Sequence, residues 1–328
     1  MQWDKSSSNN MSEVKIMNTQ LFYPEGSLMD TPENMQAVAT VQGLLQAQAS
    51  GRILEARVTT CDSSHNLWVN FPCMRGMIPR TEGAMGISEG ELRDIALIAR
   101  VGKPVCFRVL RIEQDADGIP YAVLSRRIVQ EMCTEQFLST LQPGDIVDAR
   151  VTHLEPFGAF VDIGCGIVSM VPIDAISVSR IAHPSDRFTV GQSVRVIIKG
   201  VQGKRICLSH KELLGTWEQN AALFHVGETT CGIVRSVEKY GVFIELMPNL
   251  AGLAELRQNV RVGQRTSVYI KALIPEKLKV KLILVDVCEE ETRPDPLKYF
   301  YQEQHIDRWV YTPEGSGKYI ETVFDGTI

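Results

Sequence analysis

One pattern occurs three times along this chain, and this repetition constrains the fold more than any other feature. Each copy begins at a glycine and places a valine seven residues later; the pairs are Gly51 and Val58, Gly144 and Val151, and Gly227 and Val234. Two copies also place a phenylalanine two residues after a further glycine, namely Phe160 after Gly158 and Phe243 after Gly241. Because so many offsets recur, we expect three units of one kind.

Short β-branched runs separated by glycine or proline turns fill each copy, which is typical of strands. In the second copy the predicted strands are 146–154, 158–163, 167–173, 193–199 and 205–208. Five short strands in about 70 residues indicate an OB-type barrel. The sequence therefore predicts an all-β protein of three tandem five-stranded OB-fold barrels.

The repeats also set the predicted domain limits. These are an N-terminal polar segment with a helix (1–50), a divergent barrel (51–129), a second barrel (141–213), a third barrel (225–290) and an aromatic C-terminal tail (291–328). Helices are predicted at 34–49 behind the cap Thr31-Pro32, at 92–100 behind a capping box from Ser88 to Glu91, at 128–141 and at 213–224. We expect the rings of the tail either to pack on the third barrel or to dock a partner.

Composition narrows the class of protein. No apolar run is long enough for a membrane helix, and the polar first twenty residues lack the apolar stretch of a secretory signal. Eight scattered cysteines without a CxxC pair favour a reduced, cytoplasmic protein over a secreted or zinc-binding one. The formal net charge of −5 argues against charge-driven duplex binding but permits single-strand binding by base stacking.

Aromatic pairs flank the shared glycines and indicate a surface for nucleic-acid bases. Phe157 and Phe160 would point to opposite faces of a regular strand, but Gly158 between them permits a bulge that brings both rings to one face. Tyr240 and Phe243 repeat the arrangement in the third copy. Exposed rings stack bases at roughly 1–3 kcal/mol per base. The alternative is that one ring of each pair belongs to the barrel core.

Other candidate contacts accompany these pairs. The first copy offers His65 and Trp68 at the equivalent place. Basic residues on the last strands are candidates to hold phosphates, and they are Lys204 and Arg205 in the second copy and Lys279 and Lys281 in the third.

Residues 156–164, followed by 169–177 and 203–209, resemble the RNA-binding domain of ribosomal protein S-one. The three-copy arrangement is most similar to the short S-one-type proteins of clostridia-like bacteria. The resemblance implies single-stranded RNA binding on the second and third strands of a barrel, and a task in translation at the small ribosomal subunit. The chain departs from the family pattern at two places. Pro79, Pro172 and Glu255 replace the frequent third-strand histidine, and Val201 stands near the acidic residue that commonly precedes the last-strand arginine.

No pattern in the sequence predicts catalysis. The six histidines lack metal-ligand spacing, and Gly315-Ser316-Gly317-Lys318 lacks the flanking residues of a phosphate loop. We therefore expect a non-enzymatic protein without cofactor or metal, whose partners are single-stranded RNA, in particular mRNA, and the small ribosomal subunit, with no membrane. Two alternatives stay open: an accessory RNA-binding factor in RNA turnover or transcription, and a protein-interaction scaffold of degenerate barrels.

Overall fold

The computed structural model describes residues 22–202, 205–287 and 296–325, which divide into two units. The first unit contains the described residues up to Leu141 together with the turn Asp162–Val168. The second contains Gln142–Val161 and the described residues from Ser169 onward. No helix among the described residues is long and apolar enough to cross a membrane.

Two short helices precede the barrel of the first unit. The elements are α1 (Pro32–Ala39), α2 (Val41–Ser50), β1 (Leu54–Cys61), β2 (Leu67–Asn70), β3 (Arg75–Ile78), α3 (Ile95–Ile98), β4 (Pro104–Gln114), β5 (Pro120–Ser125) and α4 (Arg127–Gln136). The barrel closes in the order β1-β2-β3-β5-β4, in which β3 and β5 are parallel. Its interior is filled by buried aliphatic and aromatic side chains, among them Leu54, Val58, Leu67, Ile78 and Phe107.

Two further barrels and a small hairpin follow. The elements are β6 (Ile146–Glu155), β7 (Gly158–Asp162), β8 (Val168–Pro172), β9 (Ser193–Gln202), β10 (Arg205–Ser209), α5 (Trp217–Ala221), β11 (Thr229–Glu238), β12 (Gly241–Met247), β13 (Leu250–Ala254), β14 (Arg265–Ile274), β15 (Lys279–Val287), β16 (Arg308–Val310) and β17 (Glu321–Val323). Turns of 3-10 helix occur at Arg80–Glu82, Leu138–Thr140, Ile173–Ala175, Pro184–Asp186, Lys211–Leu214 and Pro275–Lys277. The barrels close in the orders β10-β8-β7-β6-β9 and β11-β12-β13-β15-β14, the cyclic order of the first barrel. The predicted fold class is confirmed.

All four helix predictions are wrong in their extent, and the one at 128–141 ends at Gln136, before the turn of 3-10 helix at Leu138–Thr140. The leading segment is broken at Thr40, whose backbone is extended and whose side chain accepts a hydrogen bond from the Gly43 amide at 3.0 Å. Gly43 packs so closely that a Cβ there would lie 2.4 Å from the Ala37 carbonyl oxygen. The residues after Ser88 form turns, and the helix there spans only Ile95–Ile98. The linker at 213–224 is interrupted at Gly215, where φ is 83°.

Within the second unit, polar contacts join the second barrel to the third. The Asn249 side chain accepts a hydrogen bond from the Val178 amide at 2.9 Å and donates to the Lys211 carbonyl at 2.8 Å. The buried guanidinium of Arg187 is paired with the buried carboxylate of Glu245. These contacts join the second barrel to the third, and removing one partner of the buried ion pair would leave an uncompensated buried charge.

The described part of the C-terminal tail packs on both barrels of its unit. The Tyr299 hydroxyl accepts a hydrogen bond from the Arg195 amide at 3.1 Å, on the second barrel. Trp309, Tyr311 and Phe324 are buried in the cluster that fills the third barrel. The prediction that the tail packs on the third barrel is therefore right but incomplete, because the second barrel takes part as well.

Buried carboxyl groups in the first unit have shifted pKa values. Burial raises the pKa of Glu55 to about 7, although the amides of Gly26, Leu28 and Met29 donate to its carboxylate. Burial and the neighbouring Glu25 also raise the pKa of Asp162 to about 7. Burial opposes ionisation of Glu25 as well, but the guanidinium of Arg126, 2.6 Å away, outweighs it, and the pKa of Glu25 is lowered.

Candidate nucleic-acid interface

The second barrel presents a pair of aromatic rings at the turn between β6 and β7. Phe157 lies in the turn and is 56% exposed, whereas Phe160 lies on β7 and is half-buried. Their ring centroids are 6.0 Å apart and the ring planes are nearly perpendicular, at 87°. Neither ring belongs to the barrel core, so both have surface available to a ligand.

The third barrel repeats this pair with nearly the same geometry. Tyr240, in the turn before β12, is 69% exposed, and Phe243 on β12 is half-buried. The centroids are 6.1 Å apart and the planes are perpendicular, at 90°. The two barrels therefore carry matched edge-to-face platforms, which we call the second and third platforms: Phe157 with Phe160, and Tyr240 with Phe243.

The glycine between each pair is needed for close approach. A Cβ at Gly158 would lie 2.6 Å from the Val171 carbonyl oxygen, and one at Gly241 would lie 2.5 Å from that of Ala254. The expected bulge at this glycine is wrong for the third barrel, because the irregular register falls on β11, between Val234 and Ser236. The turn itself places the first ring beside the second.

A histidine that the sequence reasoning assigned to no site extends the second platform. The exposed ring of His153 lies 6.0 Å from that of Phe160, at an interplanar angle of 37°. Its Nε2 lies 2.6 Å from the Glu155 carboxylate. The only sequence signal for this role is its position on β6, beside the turn that carries Phe157.

The predicted cations of the last strands are exposed where they are described. Lys279 and Lys281 lie on β15, and Lys281 is the register neighbour of Leu253, which in turn pairs with Phe243. A row across β12, β13 and β15 thus runs from the third platform to a lysine. Arg205 is exposed at the start of β10. Lys204 lies outside the described residues.

The first barrel builds a different surface around Trp68. The guanidinium carbon of Arg75 lies 4.6 Å from the centroid of the Trp68 ring, and the ring of Tyr121 lies 6.1 Å away. Trp68 Nε1 donates to the Asp62 carboxylate at 3.0 Å; desolvation opposes ionisation there, but this bond and those from Asn66 lower the pKa of Asp62. These contacts place a cation and a second ring on Trp68.

His65, the other candidate of the first barrel, lies close to the carboxylate of Asp94. It stands in a turn with φ of 63°, and its Nδ1 lies 3.7 Å from the Asp94 carboxylate. Tyr121 occupies the position at which the last strand of each of the other two barrels carries a cation. The positions correspond because the last strand of every barrel pairs with the third strand in the same register. Val123 pairs with Met77, Cys207 with Met170 and Lys281 with Leu253, and the residues two positions earlier are Tyr121, Arg205 and Lys279. Sequence reasoning missed Tyr121 because it lies far along the chain from Trp68.

No group of histidine, cysteine, aspartate or glutamate side chains that could hold a metal ion occurs in the described ranges. Seven cysteines in these ranges are free thiols. The candidate interface therefore consists of rings, exposed cations and backbone, an arrangement suited to binding.

Comparison with known proteins identifies one part of the chain. Residues 140–211 match the S1 family, described as the S1 RNA binding domain. The chain is 33% identical to the small ribosomal subunit protein bS1 homolog of Bacillus subtilis, over 58% of this chain and 50% of that protein. It is 27% identical to small ribosomal subunit protein bS1 of Staphylococcus aureus, over 79% of this chain and 68% of that protein.

Among solved structures, a multidomain protein with nucleic acid binding domains from Streptococcus pneumoniae is 14% identical. The match covers 71% of this chain and 73% of that one, with a TM-score of 0.24.

Proposed function

We propose that the protein binds single-stranded RNA through its second and third barrels, since residues 140–211, which contain the second barrel, match the S1 RNA binding domain family. The observation that carries the proposal is that the family match falls on a barrel whose surface presents the exposed ring pair of Phe157 and Phe160. The third barrel carries the same pair at the equivalent turn.

The geometry of the platforms suits unpaired bases. Because the two rings of a platform are perpendicular, bases stacked on them cannot continue one helical stack. An unpaired strand can turn its bases apart in this way, whereas the bases of a duplex are already stacked and paired. Each ring offers one base a sequence-tolerant contact of roughly 1–3 kcal/mol.

Phosphates would be held by the exposed cations of the last strands. Arg205, Lys279 and Lys281 occupy these positions, and the sequence adds Lys204 beside Arg205. In the first barrel His65 and Trp68 stay candidates for weaker contacts, since Arg75 already lies over the Trp68 ring. Linkage of two weak sites in one unit raises the affinity of the whole chain for a strand that reaches both.

We infer a task in translation, in which the protein holds mRNA at the small ribosomal subunit. The chain spans about half the length of the Bacillus subtilis relative, whose name assigns that relative to this subunit. An accessory role in RNA turnover or transcription would use the same platforms, and it is distinguished by the absence of the protein from ribosomal fractions.

Two measurements test the proposal. Fluorescence anisotropy with an unpaired RNA and a duplex of matched length should show tighter binding to the unpaired strand, with a dissociation constant on the order of micromolar. Co-sedimentation with small ribosomal subunits should recover the protein, and removal of RNA should test whether mRNA supports the contact. Equal or tighter binding to the duplex would contradict the RNA proposal.

A further inference from the structure

The second barrel pairs one edge of its first strand with a segment of the C-terminal tail. The Ile146 amide donates to the Gln304 carbonyl at 2.8 Å, and the Ile306 amide donates to the Gly144 carbonyl at 2.9 Å. The tail thus forms an isolated antiparallel bridge with the barrel, between His305 and Asp145, and the Ile306 side chain is only 8% exposed.

A buried row of side chains lies beneath that segment. Ile146 is the register neighbour of Ile197, and Ile197 is the neighbour of Ser209. These three residues are 3%, 0% and 1% exposed. Ile146 and Ile197 share one buried cluster with Ile306. The docked segment therefore supplies an aliphatic side chain and two backbone hydrogen bonds to this face.

The third barrel has the corresponding row, and its side chains are more exposed among the residues that the structure describes. Thr229 stands two residues after the copy glycine Gly227, as Ile146 does after Gly144, and its register neighbours are Tyr269 and then Ile283. Tyr269 is 37% exposed and Ile283 is 47% exposed. Val285, two residues farther along the same strand, is 50% exposed.

The backbone edge beside this row is also open. In the third barrel the Ile270 amide donates to the Glu228 carbonyl at 2.9 Å, as the Ile198 amide donates to the Asp145 carbonyl at 2.8 Å in the second. Because hydrogen-bonded and non-bonded pairs alternate along an antiparallel ladder, the Thr229 amide points away from β14. No hydrogen bond to this amide or to the Gly227 carbonyl forms within ranges 22–202, 205–287 and 296–325.

We propose that this face of the third barrel binds an extended segment of a partner polypeptide by strand addition. The face consists of the backbone at residues 227–229 and the side chains of Tyr269, Ile283 and Val285, and we call it the third-barrel edge. An open strand edge beside apolar side chains is the geometry that accepts an added strand, in which backbone bonds give affinity and alternate side chains give specificity. This inference does not depend on the proposed RNA binding.

The chemistry of the partner follows from the second barrel and from charge. There the docked Ile306 is followed by Asp307 and preceded by Glu303 on the segment. The third-barrel edge has the exposed cation Lys271 two residues from Tyr269. The partner segment should therefore carry one aliphatic anchor with carboxylates on either side.

The test uses a fluorescein-labelled peptide with the sequence of residues 301–310 of this chain, titrated with the full-length protein. We expect saturable binding that is weakened at least about tenfold by Ile283→Asp and by Thr229→Pro. The proline removes the outward-pointing amide, at an edge position that tolerates proline. Val262→Asp, at another exposed apolar position of the same barrel (56% exposed), serves as the matched control and should bind as the parent does.

Thermal unfolding of each variant shows whether it is folded. If the proline variant is unfolded, the test relies on Ile283→Asp alone. RNA affinity of Ile283→Asp should stay within about twofold of the parent. The proposal is wrong if the peptide does not saturate, or if both folded variants bind it unchanged. It is also wrong if Ile283→Asp loses RNA affinity as strongly as peptide affinity, because the face would then belong to the RNA path.

Discussion

The first barrel and the two later barrels share one strand order but differ at the surface where the later barrels carry their platforms. All three bury apolar residues at corresponding strand positions, and all three pair their third and fifth strands in parallel. On the outside, Trp68, Phe160 and Phe243 are all half-buried at corresponding positions. Trp68 has Arg75 and Tyr121 against its ring, whereas Phe160 and Phe243 each lie beside a more exposed ring, Phe157 or Tyr240. Buried positions therefore fix the barrel, and exposed positions decide whether it presents free rings.

Removing a platform should have the largest effect. Phe157→Ala with Phe160→Ala should cost roughly 2–4 kcal/mol of RNA binding if each ring stacks one base, and Tyr240→Ala with Phe243→Ala should cost the same or less. Anisotropy titration and thermal unfolding on the same samples measure both properties. If the rings were structural, the double variant would instead unfold far below the parent and the comparison between barrels would fail.

The stability of the two units should change with pH in opposite directions. The folded pKa of Glu55 is about 7, above its ordinary 4.5, so the folded first unit holds more protons and loses stability as pH rises through that window. His210, buried in the second unit, has its pKa lowered by burial from 6.5 to about 4, so that unit loses stability as pH falls through that window.

Each pKa shift changes the free energy of unfolding of its unit by about 2 kcal/mol between about pH 5 and about pH 8. Hydrogen exchange at the two pH values measures each unit separately. Glu55→Gln should remove only the part of the alkaline loss in the first unit that Glu55 causes, because Asp162 of that unit also has a pKa of about 7, and it should leave the second unit unchanged. Parallel responses in the two units would contradict the assignment.

Removing the aromatic pair of the first barrel should have a smaller effect. Trp68→Ala with Tyr121→Ala should weaken RNA binding by less than about tenfold, roughly 1.4 kcal/mol, because Arg75 already occupies the Trp68 ring. The same RNA titration measures the loss. A loss equal to that of the Phe157 and Phe160 variant would make the three barrels equivalent.

The smallest effect concerns salt. Arg205→Ala and Lys279→Ala should each reduce the slope of log affinity against log salt concentration by about 1, since one phosphate contact is lost. Tyr121→Ala, at the equivalent position of the first barrel, should leave the slope unchanged. RNA titrations at several salt concentrations measure these slopes. An equal change of slope in all three variants would show that Tyr121 does not differ from the cations at the equivalent positions.

Local pattern predicted the barrels well, because alternation of β-branched residues and glycine turns is a short-range signal. The strands of the second barrel lie within a few residues of their predicted limits. The break at Thr40 depends on how closely Gly43 approaches Ala37, and the hydrophobic periodicity of the sequence does not predict such a contact. The partners of Trp68 were missed for a similar reason, since Tyr121 reaches it only through the closure of the barrel. The RNA-contact roles of the predicted rings and cations stay predictions.

The backbone contact that the tail makes at Ile146 imposes an order on synthesis of the protein. Domains generally fold in turn as the chain emerges, starting with the N-terminal one. The second barrel departs from that rule, because Ile306 covers its apolar row only after the whole third barrel has been made. A nascent chain that is halted after the third barrel but before Ile306 would carry an open strand edge at residues 144–146. It would also carry the third-barrel edge at residues 227–229. Such a chain has two places for a wrong partner to pair, and completion of the tail closes one of them.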